Sequence, residues 1–368
     1  MYNSDLINVG DDVDFREARR VSKNGGEVFC MRKQVRCRSA LSFIISFAVL
    51  LAICPNAYAL SFDLDFGTGL SGNPNAQVAF ITAASRWSTV LADDITVKLN
   101  LDYQSLSSGI LGLASTTMLV GGFDIVRDIV SSNAGEINNA RETALLPNLP
   151  TASQFTAWLP TGYTLNGNAT LTQANYLALG GSRIVESGDG NITFSSNYNW
   201  DFDPSDGITS GYFDFVGVAA HEIGHTLGFV SEVDNLDWYL NNGYTSAGVQ
   251  PTILDFFRFG QDDLDDPDFD FTTSPRFLNP GNGEQYSFFD DVTAQMSTGA
   301  YTGDGRQASH FKDNLGLGIM DPTAAPGELM GFSENDLIAF DLIGWDVVPE
   351  PTTIALFALG GLILRKRK

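Results

Sequence analysis

The chain has 368 residues and a formal net charge of −23. This length allows one large domain or two small ones, each with its own hydrophobic core. The strongly acidic balance argues against nucleic acid as a partner, because a phosphate backbone would repel the chain. Acidic surfaces are common among secreted proteins, so the charge by itself indicates no particular ligand.

Residues 31–59 carry the three parts of a secretory signal peptide in order. A basic segment begins at Met31, an apolar run covers residues 40–54, and residues 57–59 supply the small-x-small pattern of a cleavage site. A membrane anchor is the alternative, but the apolar run is short for a membrane span and the cleavage pattern follows it at once. We therefore predict cleavage after residue 59, and we interpret residues 1–30 as a non-native N-terminal extension ahead of the true start.

All three cysteines of the chain, Cys30, Cys37 and Cys54, lie in or before this signal segment. The predicted mature chain therefore contains none, and it cannot form disulfides although it is exported. A bound metal or a large core must stabilise the fold instead. A zinc site in such a chain also cannot be kept latent by a cysteine thiolate.

Hydrophobic periodicity indicates the first elements of a folded domain that we predict to cover residues 60–347. Residues 191–200 alternate between apolar and polar side chains and are predicted to form an edge strand. Beside an active site such an edge can pair with extended substrate, and a plain sheet edge is the alternative. The other predictions are a helix at 76–91, a strand at 95–103, helices at 123–130 and 140–146, and a loop at 148–168 with one short element at 152–159.

One short segment contains the motif around which the domain is organised, His221-Glu222-x-x-His225. On a helix, residues four apart lie on one face, so both imidazoles can bind the same metal ion. Glu222 is offset around the helix and can act as a base on a metal-activated water. Asp214 can cap the helix start, and Gly228 can end it. A chance match with two core histidines is the alternative, but the chain has only 3 histidines and two of them occur here.

Two carboxylate-rich segments, residues 201–207 and 262–270, can bind Ca²⁺, which takes several oxygen ligands. Neither segment follows the EF-hand spacing, since Gly207 comes one position late and the first segment lacks the closing Glu. Solvated acidic loops are the alternative interpretation of both segments.

The second half of the domain shows fewer clear patterns. Residues 251–259 are apolar and aromatic, and residues 285–292 and 293–301 are predicted to form strands. Ser333 begins a Ser-Glu-Asn-Asp sequence that resembles a capping box. We therefore predict a last helix from this serine through Ile343.

Two histidines do not complete a catalytic zinc site, which usually has three protein ligands and an open position. Zinc prefers nitrogen or sulfur ligands, with some carboxylate. His310 is the only other histidine of the chain and is the leading candidate. Asp234 is the main alternative because it comes soon after the helix end, and Glu232, Glu284 and the Asp-rich loop at residues 262–270 are further acidic candidates.

The sequence His-Glu-Ile-Gly-His-Thr-Leu-Gly at residues 221–228 is similar to the zinc signature of the metzincin metalloproteases through its glycine. The usual third histidine of that signature would fall at the position of Ser231. In the leishmanolysin branch, the third histidine instead lies far downstream and is followed by the methionine of the Met-turn. His310, in Ser-His-Phe-Lys, and Met320, in Ile-Met-Asp-Pro, resemble that branch in spacing and context.

This resemblance covers the motif helix, residues 310–322 and the final helix. It implies an α+β fold with a twisted mixed sheet, a long active-site helix and a lower subdomain that carries the Met-turn at Met320. It also implies that residues 60–347 form a zinc metallopeptidase domain in which His310 is the third metal ligand. By itself a buried methionine is only a soft apolar residue that packs against irregular geometry.

The chain ends at residues 348–368 with Val-Pro-Glu-Pro, an apolar run at 353–364 and a basic end at 365–368. An apolar run with a basic flank suggests a membrane-engaged segment, although this run is shorter than the roughly 20 residues that span a bilayer. The three parts together resemble the PEP-CTERM sorting tag of Gram-negative bacteria. The resemblance implies export to the medium or the cell surface, transient membrane contact, and removal of the tag by an exosortase.

These features lead to the hypothesis of a secreted zinc endopeptidase that acts on protein or peptide substrates, with Glu222 as general base. A zinc hydrolase of a non-peptide extracellular substrate is one alternative, and a non-catalytic matrix protein with a structural zinc site is another. The intact Glu222 disfavours the last, because a structural site needs no base and is usually closed by four ligands. Zn²⁺ is the expected cofactor, and Ca²⁺ is a second candidate.

Overall fold

A four-stranded mixed sheet and the helices packed against it form the part of the fold that carries the histidine motif. The computed structural model describes residues 60–134, 140–281 and 283–348. The predicted N-terminal extension, signal peptide and sorting tag lie outside these residues, apart from Val348. Within the described part of the chain, no helix is both long enough and apolar enough to cross a membrane. Helices and small sheets are both present, so the predicted α+β class is confirmed.

Fifteen strands in the described residues form six sheets. In chain order they are β1 (Ser61–Phe66), β2 (Thr96–Gln104), β3 (Gly112–Thr116), β4 (Met118–Gly122), β5 (Ala157–Trp158), β6 (Thr164–Leu165), β7 (Asn168–Thr172), β8 (Gly190–Ser195), β9 (Trp200–Asp201), β10 (Phe213–Asp214), β11 (Gly248–Val249), β12 (Arg258–Gly260), β13 (Arg276–Phe277), β14 (Gln285–Phe288) and β15 (Thr293–Met296).

Eight α-helices and three short 3₁₀ helices lie in the same residues. The α-helices are α1 (Pro74–Val90), α2 (Phe123–Ser132), α3 (Ala140–Leu145), α4 (Gln173–Ala178), α5 (Phe215–Leu227), α6 (Val233–Asn241), α7 (Gln261–Leu264) and α8 (Glu334–Leu342). The 3₁₀ helices are Leu146–Asn148, Pro204–Asp206 and Leu254–Phe257.

The main sheet has the strand order β1-β2-β8-β3. Its first three strands are parallel, whereas β3 pairs antiparallel with β8 and places Gly112 opposite Phe194. The prediction that residues 191–200 form an edge strand is therefore wrong, because β8 lies between two neighbours. Alternation shows that one face of a strand is buried, but it does not show how many strands pair with it. The edge next to α5 is β3.

Helix α1 packs along α5 through small residues and aromatic rings. Asn73 begins α1 by accepting a hydrogen bond from the backbone of Ala76, and Pro74 occupies the first turn. Trp87 reaches across to α5, where its indole Nε1 donates to the carbonyl of Ala220 at 2.8 Å. The main sheet, α1, α5 and α8 share one buried core.

Most of the other predicted elements are present with small shifts in their limits. The segments predicted as strands in the second half are shorter than expected and form the antiparallel pair β14 and β15. The predicted loop contains the two-residue strands β5 and β6, the first of them inside the expected short element. The helices predicted at 76–91, 123–130, 140–146 and 333–343 correspond to α1, α2, α3 and α8, and the strand at 95–103 corresponds to β2.

A three-stranded antiparallel sheet, β12-β14-β15, supports the segment that carries His310. Met296 at the end of β15 forms an antiparallel bridge with Phe311. The backbone N–H of Ser297 donates to the carbonyl of His310 at 3.0 Å, and its hydroxyl donates to the carbonyl of Phe311 at 2.9 Å. Backbone pairing to a sheet, and not a helix, therefore fixes the position of His310.

Candidate metal centre

Helix α5 begins and ends where the sequence predicts. The Asp214 side chain accepts a hydrogen bond from the backbone of Gly217 at 2.8 Å and so caps the helix start. Gly228 follows the last helical residue with a φ of 122°, a value that favours glycine. All residues of α5 except the half-buried His225 are buried, so the helix holds its two imidazoles against the rest of the protein.

The imidazoles of His221, His225 and His310 meet at one point. The Nε2 atom of His225 lies 3.2 Å from that of His221 and 3.1 Å from that of His310. The remaining distance, between the Nε2 atoms of His221 and His310, is 3.2 Å. Among the described residues, this is the one group of three or more His, Cys, Asp or Glu side chains whose ligand atoms all lie within 4.8 Å of one another.

Hydrogen bonds at Nδ1 fix the tautomer of each imidazole. A carbonyl oxygen can only accept, so each Nδ1 that contacts one carries the proton and donates it. A neutral imidazole has a single N–H, and each Nε2 therefore presents a lone pair to the other two. The three contacts are His221 to Ile319 at 2.8 Å, His225 to Phe229 at 2.8 Å and His310 to Gln307 at 3.1 Å.

Three lone pairs at this separation repel one another unless a cation lies between them. A proton does not fill that role readily, because burial lowers the pKa of all three histidines and that of His225 to about 3. Zinc bound tetrahedrally at about 2.0–2.1 Å keeps its nitrogen ligands about 3.3–3.4 Å apart, close to the separations in this cluster. The neutral, Nδ1-anchored imidazoles therefore fit a zinc ion.

Met320 lies against the motif helix between the two helical histidines. A methyl group at Gly224 would be 2.5 Å from the Met320 Sδ, so only glycine lets the thioether pack this closely. The preceding carbonyl, of Ile319, contacts His221. The carbonyl of Met320 itself accepts from the backbone of Phe311 at 3.0 Å. The turn at Ile319 and Met320 thus contacts His221 on the motif helix and Phe311, the residue after His310.

Asp336 of α8 holds that turn in place. Its carboxylate accepts hydrogen bonds from the backbone N–H groups of Ile319 at 2.8 Å and Met320 at 3.2 Å. It also accepts from the backbone of Ser333, which completes the capping box of α8. Burial raises the pKa of Asp336 to about 6, and these hydrogen bonds oppose the rise. The sequence predicts the cap of this helix but not the second task of its carboxylate.

Glu222 lies between α5 and the edge strand β3. A methyl group at Gly112 would be only 2.6 Å from the Glu222 Oε1. Burial raises the pKa of Glu222 to about 8, and a hydrogen bond from the backbone of Ala114 opposes the rise. The candidate base is therefore confined by β3, which is an edge strand of the main sheet.

Asp234 lies outside the histidine group and supports the segment just before His310. Its carboxylate accepts from the backbone N–H of Ala308 at 2.6 Å and of Ser309 at 3.1 Å, and from the Ser309 hydroxyl. That hydroxyl accepts in turn from the backbone of Ser231 at 2.8 Å. Burial raises the pKa of Asp234 to about 6, against these hydrogen bonds.

Arg258 is a supporting residue that sequence patterns do not single out. Its guanidinium is fully buried and donates to the carbonyls of Ala308 at 3.0 Å and Ser297, and to the Gln285 side chain at 2.7 Å. Burial lowers its pKa to about 10, and nearby acidic groups oppose the change. The one signal in the sequence is a charged residue inside the apolar-aromatic segment 251–259.

The other acidic candidates lie apart from the histidines. Glu232 and Glu284 each accept a hydrogen bond from a neighbouring side chain. In the loops 201–207 and 262–270, carboxylates accept hydrogen bonds from the backbone of the same loop. Within the described residues, neither loop gathers three acidic side chains around one point.

Comparison with known proteins adds no relatives to this description. No family model, no curated protein and no solved structure matches the chain.

Proposed function

We propose that the chain is a secreted zinc endopeptidase with a metzincin-like catalytic domain. The observation that carries this proposal is the convergence of the three histidine Nε2 atoms, two of them on a helix that also carries the buried carboxylate of Glu222 directly after His221. A mixed sheet, a motif helix and Met320 packed against that helix are further features that the metzincin resemblance implies.

The proposed roles follow from the chemistry of each side chain. His221, His225 and His310 would hold the metal through Nε2, since Nδ1 of each ring is engaged. Bound zinc supplies a Lewis acid that polarises a carbonyl oxygen and makes water more acidic. Glu222 would take a proton from the attacking water and pass it to the leaving amine. Packing against β3 restricts the orientations of the Glu222 carboxylate. This restriction favours proton transfer, which requires the base to be held in one position.

The strand β3 supports a peptide as the substrate. Edge strands present N–H and C=O groups that no other strand uses, and an extended peptide can add to them as one more strand. Among the described residues β3 is an edge of the main sheet, and Gly112 and Ala114 of this strand lie next to Glu222. A peptide paired along β3 would therefore run past the proposed base.

Casein or gelatin zymography of the purified protein, with and without a chelator, tests the proposal. We expect cleared bands that a chelator removes and added Zn²⁺ restores. Glu222→Gln keeps the shape of the side chain, so this variant should keep its zinc and lose on the order of 10²- to 10⁴-fold in activity.

Three outcomes would contradict the proposal or redirect it. Proteolysis that survives complete metal removal, or full activity of Glu222→Gln, would exclude the proposed mechanism. Zinc binding with hydrolysis only of non-peptide esters or amides would favour the non-peptide hydrolase. Tight zinc with no hydrolysis of any kind would favour a structural site.

The same proposal places the domain outside the cytoplasm, with a signal peptide before residue 60 and a sorting tag from residue 348 that contacts the membrane and an exosortase. The support for this part comes from the sequence alone, through the two terminal patterns. Mass spectrometry of the two ends of the secreted protein tests it.

A further inference from the structure

A cavity of about 410 Å³ lies between the C-terminal half of α1 and the segment before α8. None of its lining residues belongs to the histidine cluster. The lining combines one cation and one hydroxyl with an apolar wall, and consists of Arg86, Thr89, Leu329, Met330, Gly331 and Phe332. A cavity of this composition suits a ligand that joins a carboxylate to apolar groups.

Arg86 is the charged group of this cavity. It is one of nine Lys and Arg residues between residues 60 and 348 of a strongly acidic chain. Its guanidinium donates to the carbonyl of Met330 at 3.1 Å. No ion pair among the described residues includes Arg86, although its charge opposes the rise that burial causes in the pKa of Asp214. The remaining N–H groups of the guanidinium are thus suited to a carboxylate from another segment.

The end of the described chain runs toward this cavity. The backbone of Ala92 donates to the carbonyl of Asp346 at 2.7 Å, and that of Val348 donates to the carbonyl of Val90 at 2.8 Å. The bridge between Leu91 and Val347 that lies between these bonds is antiparallel. The described chain therefore runs antiparallel to residues 90–92 and ends at Val348, beside the last residue of α1.

The distance and the chemistry match the next three residues. Arg86 precedes Val90 by four residues, or about 6 Å along a helix axis. Two residues can span at most about 7 Å, so the chain after Val348 is long enough for Glu350 to reach the level of Arg86. The flanking residues are prolines, and proline-rich segments bind in grooves lined by aromatic rings such as Phe332.

We propose that this cavity binds the Pro-Glu-Pro segment at residues 349–351 of the same chain, with the Glu350 carboxylate paired to Arg86. The proline rings pack on the apolar wall formed by Leu329 and Phe332. The folded domain then covers the segment that a sorting enzyme would have to reach, so docking controls how the tag is presented. This inference rests on the sorting tag of the proposed function and is independent of the metal centre and of catalysis.

Zero-length carbodiimide coupling in the purified full chain tests the proposal, because it joins only an amine and a carboxylate in direct contact. The variant Arg86→Lys places an amine in the cavity. We expect tandem mass spectrometry of the monomer to find a peptide in which position 86 is joined to Glu350. The additional substitution Glu350→Gln should remove this product.

Arg127→Lys is the matched control, since Arg127 pairs with Asp128 at 3.0 Å on the surface of α2. If that variant couples to Asp128 while Arg86→Lys couples to nothing, or only to Asp214, the proposal is wrong. Coupling found only in a dimer would instead assign the cavity to the tail of a second copy. If Arg86→Lys does not fold, as judged by circular dichroism, Thr89→Lys supplies the amine at the same cavity under the same criteria.

Discussion

At the scale of single residues, the orientation of the histidines depends on both local and distant contacts. His225 is oriented by the carbonyl of Phe229, directly after the helix, and this contact follows from local sequence. His310 is likewise oriented by a local carbonyl, that of Gln307 three residues before it. His221 is oriented by the carbonyl of Ile319 in a distant segment, which spacing along the chain does not reveal. The sequence could still single out His310, because no other histidine, and no cysteine after residue 54, offers a third nitrogen or sulfur ligand.

The first prediction separates a ligand from a residue that supports one. His310→Ala should lose zinc on dialysis, because two imidazoles remain where catalytic zinc needs three protein ligands. Asp234→Asn should keep one zinc but bind it about 10- to 100-fold more weakly, as expected when a group behind a ligand is altered. Metal content measured during titration with a competing chelator checks both variants.

The opposite pattern would assign the third ligand differently. If His310→Ala kept tight zinc and peptidase activity while Asp234→Asn lost both, Asp234 would be the ligand and Met320 would lose its proposed role. Ser309→Ala serves as a control. It removes the hydrogen bond from the Ser309 hydroxyl to Asp234 and the one that this hydroxyl accepts from Ser231, while leaving both candidate ligands in place.

At the scale of secondary structure elements, helix limits were predictable and strand neighbours were not. Asp214 and Ser333 cap α5 and α8 through contacts within four residues, so the sequence shows where these helices begin. The five residues of β3 include Gly, Ala and Ser, which have little preference for strands. Whether β8 lies at the edge or in the centre depends on β3, which pairs with it from far away in the sequence.

The strand β3 also gives a test of the proposed base. Gly112→Ala places a methyl group 2.6 Å from the Glu222 Oε1 in the present geometry, so the carboxylate must move. Because that atom is the end of a flexible side chain, we expect little loss of stability. A displacement of about 1 Å can lower turnover by about 10²-fold, so kcat should fall while zinc content stays the same.

Gly72→Ala is the control, because nothing lies within 4 Å of the methyl group it adds. Both variants should have similar melting temperatures, and only Gly112→Ala should lose activity. Unchanged kcat in Gly112→Ala would show that the position of Glu222 against β3 does not matter for the reaction.

Helix α8 carries a group whose ionisation should affect stability. Burial raises the pKa of Asp341 to about 8 from 3.8, the charges of Glu142 and Asp346 add to the rise, and Arg141 opposes it. Between these two pH values the unfolded chain is ionised there while the folded chain holds a proton. The free energy of unfolding should therefore decrease as pH rises through this window, by at most about 1.4 kcal/mol per pH unit.

Asp341→Asn should remove this contribution. The variant should gain stability relative to the wild type at pH 8 and gain little at pH 4, as measured by denaturant unfolding at both pH values. A difference between the two proteins that does not change with pH would show that Asp341 is ionised in the folded state throughout.

At the scale of the whole molecule, the folded domain has no disulfide to stabilise it. Residues 60–368 contain no cysteine, so this domain depends on its core and on the proposed metal. The core is extensive: the main sheet, α1, α5 and α8 bury one continuous apolar cluster that also contains Met320. A metal bound to the native state alone adds stability in proportion to its affinity.

The last prediction concerns the form in which the protein leaves the cell. If the two terminal patterns are processed, the secreted protein should begin at Leu60 or within a few residues of it and should lack residues 365–368. The histidine cluster predicts one zinc ion per chain, because each Nε2 lone pair is directed at the same point. Native mass spectrometry measures both ends and the metal in one sample, and acid denaturation should release the zinc from an otherwise unchanged mass. A secreted protein that still begins at Met1 or Met31 would refute the signal peptide, and one that retains its basic end would refute removal of the tag. A correctly processed chain without metal would leave export standing and count against the zinc centre, so the two parts of the proposal can fail separately.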